Sequence, residues 1–484
     1  MAGKMVFSGI PFLFFFLPAA VILYFIFPVR CRNAVLLGIN LVFYLLAAPL
    51  SLPVLLALIA VNFLCGLSIN RFRKKKELAR IPLFIGIAVN IILLIILKYQ
   101  FFLPGGADHS IQTENLFMDI LIPIGISVYT LQGVSYLIDL YYHKVKVQKR
   151  LVPFAMYLSM FPQMICGPIV RYSDIAESIQ HRQMNANTIS KGYNMFIRGL
   201  SKKLILGDTM LELWNTVKAM EYETMPVLTA WLGVAGFAFA VYFYFSGYSD
   251  MARGIAKILG FDFPMNFNAP YTAKSLTGFW RRWNISLTVW CKSYVISPLG
   301  KRYTNVLATL LKLLVLWTLM GLWYGGGWNF LLWGLIFGGL IAVEQLFLSP
   351  ILEKLPGLIR RIYTIVVVFC MWLVFGLQDL TRVLAYYKAM FTGNAASWSQ
   401  FFSSGSTVFA DGTSLYLLGS YAVVLILCIF AGGTLVHNIG LRCEHKSPRA
   451  ALVLRIACEI FLTLVCLVAV AGGNGADTSF FVYF

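Results

Sequence analysis

Apolar residues run along this chain in blocks of about twenty, and the charged residues gather between them. A helix needs about 20 apolar residues to cross the hydrocarbon core of a bilayer, so each block predicts a membrane span and each break a loop. The first block, Val6 to Phe27, is too long for a signal peptide and has no Ala-x-Ala cleavage site, so it is expected to be the first span. Arg30 and Arg32 follow it, and Arg71, Arg73, Lys74, Lys75 and Lys76 follow the third block. Basic residues favour the cytoplasmic side, which places both loops there and the N-terminus outside. Residues 104–116, between the fourth and fifth blocks, contain no Lys or Arg, as an external loop should. After the run Leu116–Tyr142, the residues His143, Lys144, Lys146, Lys149 and Arg150 return the chain to the cytoplasmic face. In the C-terminal third, 392–414 and 473–484 have no basic residue whereas 437–449 contain Arg442, Lys446 and Arg449, so the C-terminus is also expected outside.

Two regions depart from this rhythm. Between the basic loop near 145 and the mixed loop at 210–225 only one full crossing fits, yet two apolar runs occur, 150–168 and 192–207; Pro162, Gly167 and Pro168 nominate the first as re-entrant. Broken helices at membrane depth need protein or a water-filled cavity to satisfy their backbone groups, which points to an internal chamber. From Phe245 to Arg302 aromatics, Asn, Gly, Pro and basic residues mix without a clean span, and function is expected there. With no repeat, low-complexity tract or Gly/Ser linker, residues 1–484 are read as one all-α polytopic membrane domain.

Composition sharpens this reading. Of 484 residues 59% are hydrophobic and 12% charged, with a mean hydropathy of +0.77, which rules out an ordinary soluble domain. The 39 Lys+Arg against 20 Asp+Glu leave +19. No polar stretch is long enough to fold as a basic soluble domain, so the charge is read as topology, the bilayer is the expected partner, and nucleic acid is not. The nine cysteines include no Cys-x-x-Cys pair and are read as packing residues, with neither a disulfide frame nor a metal site. The five histidines, His109, His143, His181, His437 and His445, fall in predicted loops or span ends.

Two segments place polar residues in apolar surroundings, which is costly and therefore informative. The first runs from Phe245-Ser246-Gly247-Tyr248-Ser249-Asp250 through Arg253 and Phe267-Asn268-Ala269-Pro270-Tyr271 to Phe279-Trp280-Arg281-Arg282-Trp283-Asn284. Asp250 and Arg253 share a helix face, either as a structural pair or as part of a site. Arg281 and Arg282 beside Trp280 and Trp283 are either interfacial anchors or ligands for the phosphates of an anionic acyl donor. The second segment, Gly321-Leu322-Trp323-Tyr324-Gly325-Gly326-Gly327-Trp328-Asn329-Phe330 followed by Trp333-Gly334-Leu335-Ile336-Phe337-Gly338, either breaks a helix or lets helices pack closely.

These segments resemble the membrane-bound O-acyltransferase (MBOAT) family, in particular its bacterial AlgI/DltB-like branch. The resemblance extends in order along nearly the whole chain: Met5-Val6-Phe7-Ser8, Pro123-Ile124-Gly125-Ile126-Ser127, Phe161-Pro162-Gln163, Gly167-Pro168-Ile169-Val170-Arg171, the Phe245, Asn266 and Phe279 motifs, and the tail Phe480-Phe481-Val482-Tyr483-Phe484. It implies a ring of roughly 11–13 membrane helices with re-entrant segments around a central funnel, in a bacterial plasma membrane. It also implies passage of an acyl group, expected to be acetyl, from a cytoplasmic donor such as acetyl-CoA to a cell-surface polysaccharide or a partner protein, with no bound cofactor. The implied partners are a glycan acceptor and an extracytoplasmic SGNH-hydrolase-type protein.

The family's chemistry rests on histidine, because an imidazole can take the proton of a hydroxyl acceptor near neutral pH. By resemblance its positions are Tyr324 (in a Leu-Trp-His-Gly pattern), Phe337 and Asn284, all substituted here; Tyr244 likewise stands where an acidic residue is common. Asp250, Asn268, Arg281, Arg282, Trp283, Trp323 and Asn329 are the expected donor- or funnel-lining residues. Two functions follow: an O-acyltransferase subunit, or a catalytically impaired scaffold or conduit of the same fold.

Overall fold

The structure is a computed structural model that describes residues 7–99, 123–164, 166–182, 184–298, 306–377, 379–393 and 406–473. The polar loop 104–116 with His109, the beginning of the first block and the aromatic tail therefore lie outside the described residues. Among those described, every regular element is helical. In chain order the N-terminal helices are α1 (Pro11–Ile26), α2 (Val29–Ala47), α3 (Pro49–Arg71), α4 (Lys76–Lys98) and α5 (Ile126–Tyr141). Next come α6 (Leu151–Leu158), α7 (Phe161–Met164), α8 (Tyr172–Gln180), α9 (Ala186–Ser201) and α10 (Asp208–Lys218). The central elements are α11 (Val227–Ile258), α12 (Leu276–Trp280), α13 (Ile285–Ile296), α14 (Val306–Tyr324) and α15 (Trp328–Lys354). The chain closes with α16 (Gly357–Gly376), α17 (Leu380–Thr392), α18 (Gly412–Gly432), α19 (Leu435–Lys446) and α20 (Pro448–Ala471).

Eight of these helices are long and apolar enough to cross a bilayer, namely α2, α3, α4, α11, α15, α16, α18 and α20, and three shorter apolar helices accompany them. The expected all-α polytopic membrane architecture is thus present. The run 150–168 is broken as its prolines predict: α6 ends at Leu158, α7 is one turn, and irregular backbone follows. The run 192–207 instead continues without interruption from α9 through a π-helical turn, Lys202–Gly207, into α10.

Three details differ from the sequence expectations. Phe245 does not open a new region; it lies inside α11, whose 32 residues carry the Phe-Ser-Gly-Tyr-Ser-Asp motif on a continuous helix. Its serines and glycine are tolerated because surrounding helices, rather than lipid, cover them: 78% of the most apolar window of α11 is buried, against 11–44% in the other spans. The basic stretch 437–449 is mostly helix α19 rather than loop, so His437 and His445 are helical. Finally, Cys31 and Cys458 are exposed and so do not pack in the core, whereas Cys291, Cys428 and Cys466 are buried; all nine cysteines are free thiols.

Glycine decides how α9 meets α11. Gly192 and Gly199 lie seven residues apart on one helix, Gly247 and Gly254 seven apart on the other. A β-carbon on Gly199 would stand 2.6 Å from the Met251 backbone nitrogen, one on Gly254 2.6 Å from the Gly192 carbonyl oxygen, and one on Gly247 2.7 Å from the Gly199 carbonyl oxygen. The two helices therefore pack antiparallel, backbone to backbone, as small residues permit in membranes. Gly321 and Gly334 play the same part between α14 and α15: a β-carbon on Gly321 would run into the Phe330 carbonyl oxygen and one on Gly334 into the Trp317 carbonyl oxygen. Both roles open for the Gly-rich segment are realised: close packing at Gly321 and Gly334, and a helix break at the triplet 325–327, between the end of α14 at Tyr324 and the start of α15 at Trp328.

Candidate functional site

The segment before α13 is built as a bracket. Asn266 runs alongside the 282–286 stretch: its carbonyl accepts from Ile285 N–H at 2.9 Å, its side-chain Oδ1 accepts from the Ser286 N–H at 3.1 Å and hydroxyl at 2.8 Å, and the Asn268 N–H donates to the Arg282 carbonyl at 2.9 Å. Asn284 occupies the tip with φ +41°, a left-handed conformation for which Asn is well suited. From the other side, Glu344 of α15 is buried beneath the start of α12. Its carboxylate accepts from Leu276 N–H at 2.7 Å, Thr277 N–H at 3.0 Å and the Thr277 hydroxyl at 3.1 Å, satisfying donors that a helix N-terminus leaves unpaired. This fixes the α12 helix that ends in Trp280 and leads into Arg281, Arg282 and Trp283.

The bracket delivers Trp283 and Asn284 to the end of α14. The indole N–H of Trp283 and the side-chain amide of Asn284 each donate to the Tyr324 hydroxyl at 3.1 Å. All three residues are buried. The Tyr324 ring is packed edge-on by Trp333 and Phe375, both with centroids 5.6 Å away, and by Phe245 at 6.1 Å. Phe337 is fully buried one layer further along α15, against Trp333 at 5.1 Å, Trp280 at 5.2 Å and Trp317 at 5.3 Å. Of the three substituted positions the fold thus joins Tyr324 and Asn284 directly, and Phe337 reaches them through Trp333.

The end of α14 is capped from α4. Lys98 is buried; its ammonium donates to the Ser127 hydroxyl at 3.1 Å and to the Trp323 carbonyl, and lies 5.4 Å from the Trp323 ring centroid. The Tyr99 hydroxyl donates to the Leu322 carbonyl at 2.7 Å. Among the described residues Lys98 forms no ion pair, so the α14 carbonyls and the indole face take that place. Asn329, beyond the glycine triplet, donates to the Phe375 carbonyl at 3.4 Å.

The remaining expected residues lie apart from Tyr324. Asp250 pairs with Lys202 at 2.6 Å and with Arg253 at 3.4 Å, so the same-face pairing read from the sequence is present, and Lys202 is its closer partner. Arg282 donates to the Thr272 hydroxyl at 3.0 Å, whereas Arg281 and the Asn268 side chain are exposed. Tyr244 is not a plain loss of an acid. Its hydroxyl donates to Asp208 at 2.5 Å, and Asp208 also pairs with the fully buried Lys203 at 3.0 Å, so the carboxylate enters from α10. No described histidine reaches the Tyr324 cluster: His143 sits in a loop and accepts from Arg73 at 3.0 Å, and His181 and His445 are exposed. Among the described residues no three His, Cys, Asp or Glu side chains are grouped to ligate a metal.

Lys98, Asp208, Glu344 and the side chain of Asn266 are not among the residues expected from the sequence. The signal that exposes the first three is an ionisable residue inside or at the edge of an apolar run, which lipid does not tolerate unpartnered.

Comparison with known proteins places the chain among its relatives. The family model for the membrane-bound O-acyltransferase family matches residues 148–387, from the loop before α6 to α17. The probable alginate O-acetylase AlgI of Pseudomonas aeruginosa is 32% identical over 451 residues, covering 92% of this chain and 85% of the relative. The peptidoglycan O-acetyltransferase of Helicobacter pylori is 28% identical over 427 residues, 80% of each chain. The teichoic acid D-alanyltransferase of Bacillus subtilis is 27% identical over 237 residues, 46% of this chain and 59% of that one. The chain belongs to the membrane-bound O-acyltransferase family.

Proposed function

We propose that this protein is an AlgI-like O-acyltransferase subunit that passes an acyl group, acetyl in the simplest case, from a cytoplasmic thioester donor through a funnel of membrane helices toward a cell-surface polysaccharide. An extracytoplasmic SGNH-hydrolase-type partner would complete the transfer. The observation that supports this reading is the Trp283–Asn284–Tyr324 assembly: the position given to histidine in the family is occupied by a polar side chain held by two directed hydrogen bonds inside an aromatic wall. Such a hydroxyl is oriented, as groups that contact a reacting carbonyl must be. A phenol ordinarily titrates near pH 10, so at neutral pH Tyr324 acts as a hydrogen-bond donor to developing negative charge and not as the base. The base for the acceptor hydroxyl is then supplied by the partner.

A second reading, a non-catalytic conduit or scaffold, is favoured by Phe337, whose site is filled by indole and phenyl rings. Incubation of the purified protein with radiolabelled acetyl-CoA and a glycan acceptor, with and without the partner, separates the two. The acyltransferase reading expects partner-dependent label transfer by the wild type at a rate comparable with Tyr324→His and with the triple variant Asn284→His/Tyr324→His/Phe337→His. Transfer by the histidine variants alone would leave the conduit reading standing. Histidine is compatible with the backbone at 284, since it is among the residues that adopt positive φ readily.

A further inference from the structure

A second polar feature lies away from Tyr324, where α9, α11 and α20 converge. An open cavity of about 300 Å³ lies between them. Five cations line it: Lys191 and Arg198 from α9, Arg253 and Lys257 from α11, and Arg455 from α20. Among the described residues of the lining, Asp262 is the only carboxylate. Three of the cations have carboxylate partners, Arg253 with Asp250 at 3.4 Å, Lys257 with Asp262 at 2.8 Å and Arg455 with Glu459 at 3.3 Å. Lys191 and Arg198 form no ion pair among the described residues.

The wall is also preorganised. The Arg253 guanidinium is held by Asp250 and by the Phe263 carbonyl at 3.3 Å, and α9 is locked to α11 by the reciprocal glycine contacts, so Lys191 and Arg198 are carried on a fixed backbone. With three of the five cations paired, Lys191 and Arg198 leave the site an excess of about two positive charges, which repel each other and the paired cations. An anion of charge −1 to −2 relieves that repulsion. A phosphate ester fits best, because it offers several acceptor oxygens to forked guanidinium and rotating ammonium donors at once.

We propose that this cavity is a phosphate-ester binding site. Its chemistry serves two sources, the headgroup of an anionic phospholipid or the phosphates of a soluble donor such as coenzyme A. In the orientation given by the positive-inside count, α20 starts on the cytoplasmic side, where both are found. The soluble-donor source rests on the acyltransferase reading and the lipid source does not; the test reads binding alone.

The test uses the full-length protein in two formats. Coenzyme A is titrated into protein held in phosphatidylcholine nanodiscs, and phosphatidylglycerol retained after extraction from mixed vesicles is counted by mass spectrometry. Wild type is compared with Lys191→Gln/Arg198→Gln, which alters two exposed side chains, and with the charge-preserving Lys191→Arg/Arg198→Lys. Removing the same charge at a distance, by Lys74→Gln/Lys75→Gln, controls for net charge. The expected result is a loss of about tenfold or more in one of the two readouts for the glutamine pair, with the other two variants within about twofold of wild type. A drop in coenzyme A affinity identifies the soluble donor, and a drop in retained phosphatidylglycerol identifies the lipid. Absence of binding of either probe by wild type, equal binding by the glutamine pair, or an equal drop in the distant control would overturn the proposal.

Discussion

The side-chain amide of Asn284 donates to the hydroxyl of Tyr324 at 3.1 Å, across 40 positions of sequence. Both residues stand where the family resemblance expects histidine, so the two substitutions form one unit. Tyr324→Phe removes the shared acceptor and leaves the Asn284 amide and the Trp283 indole N–H without it in a buried site. A buried donor deprived of its partner costs roughly 1–3 kcal/mol. The expected outcome is a lowered melting temperature in detergent, partly recovered by adding Asn284→Gly, which removes one stranded donor and keeps the left-handed backbone.

Tyr244 and Asp208 make a second such unit beside buried Lys203. Restoring an acid by Tyr244→Glu places two carboxylates against one ammonium, and like charges at close range disfavour ionisation of both. We expect Tyr244→Glu to destabilise the protein at neutral pH and the exchange Tyr244→Glu/Asp208→Asn to recover much of the loss, as thermal unfolding followed by tryptophan fluorescence would reveal. Equal damage in both variants would mean that the position of the carboxylate is not interchangeable between α10 and α11.

The α9–α11 contact predicts an asymmetry among glycines. Gly199→Ala drives a methyl into the Met251 backbone, where nothing flexible can yield; overpacking of this kind typically costs about 1–3 kcal/mol. Gly419→Ala on α18 meets open space and should be neutral or slightly stabilising, since alanine is the better helix former. Detergent-solubilised yield and melting temperature of the two variants check this directly.

The orientation expected from the basic loops is tested across one helix. In a background with Cys31, Cys443 and Cys458 replaced by Ser, a cysteine at Thr413, just inside the start of α18, should react with an impermeant thiol reagent in intact cells. A cysteine at Lys446, at the end of α19, should react only after lysis. The opposite pattern would invert the direction assigned to acyl transfer.

By itself the sequence determined the environment and the spans. Blocks of about twenty apolar residues are a local property, and the bilayer imposes their length whatever they pack against. The break at Pro162 and the glycine spacing are equally local, and the ordered motifs identify the family. Which polar residues meet is not local. Asp208 standing in for the acid at Tyr244, Glu344 pinning α12, Lys98 capping α14, and Lys191 and Arg198 facing Arg455 each join residues far apart in the chain. Such pairings depend on the angle and depth at which helices cross, which side-chain packing sets over the whole molecule. A buried charge is visible in the sequence as an anomaly; its partner exists only once the helices are assembled.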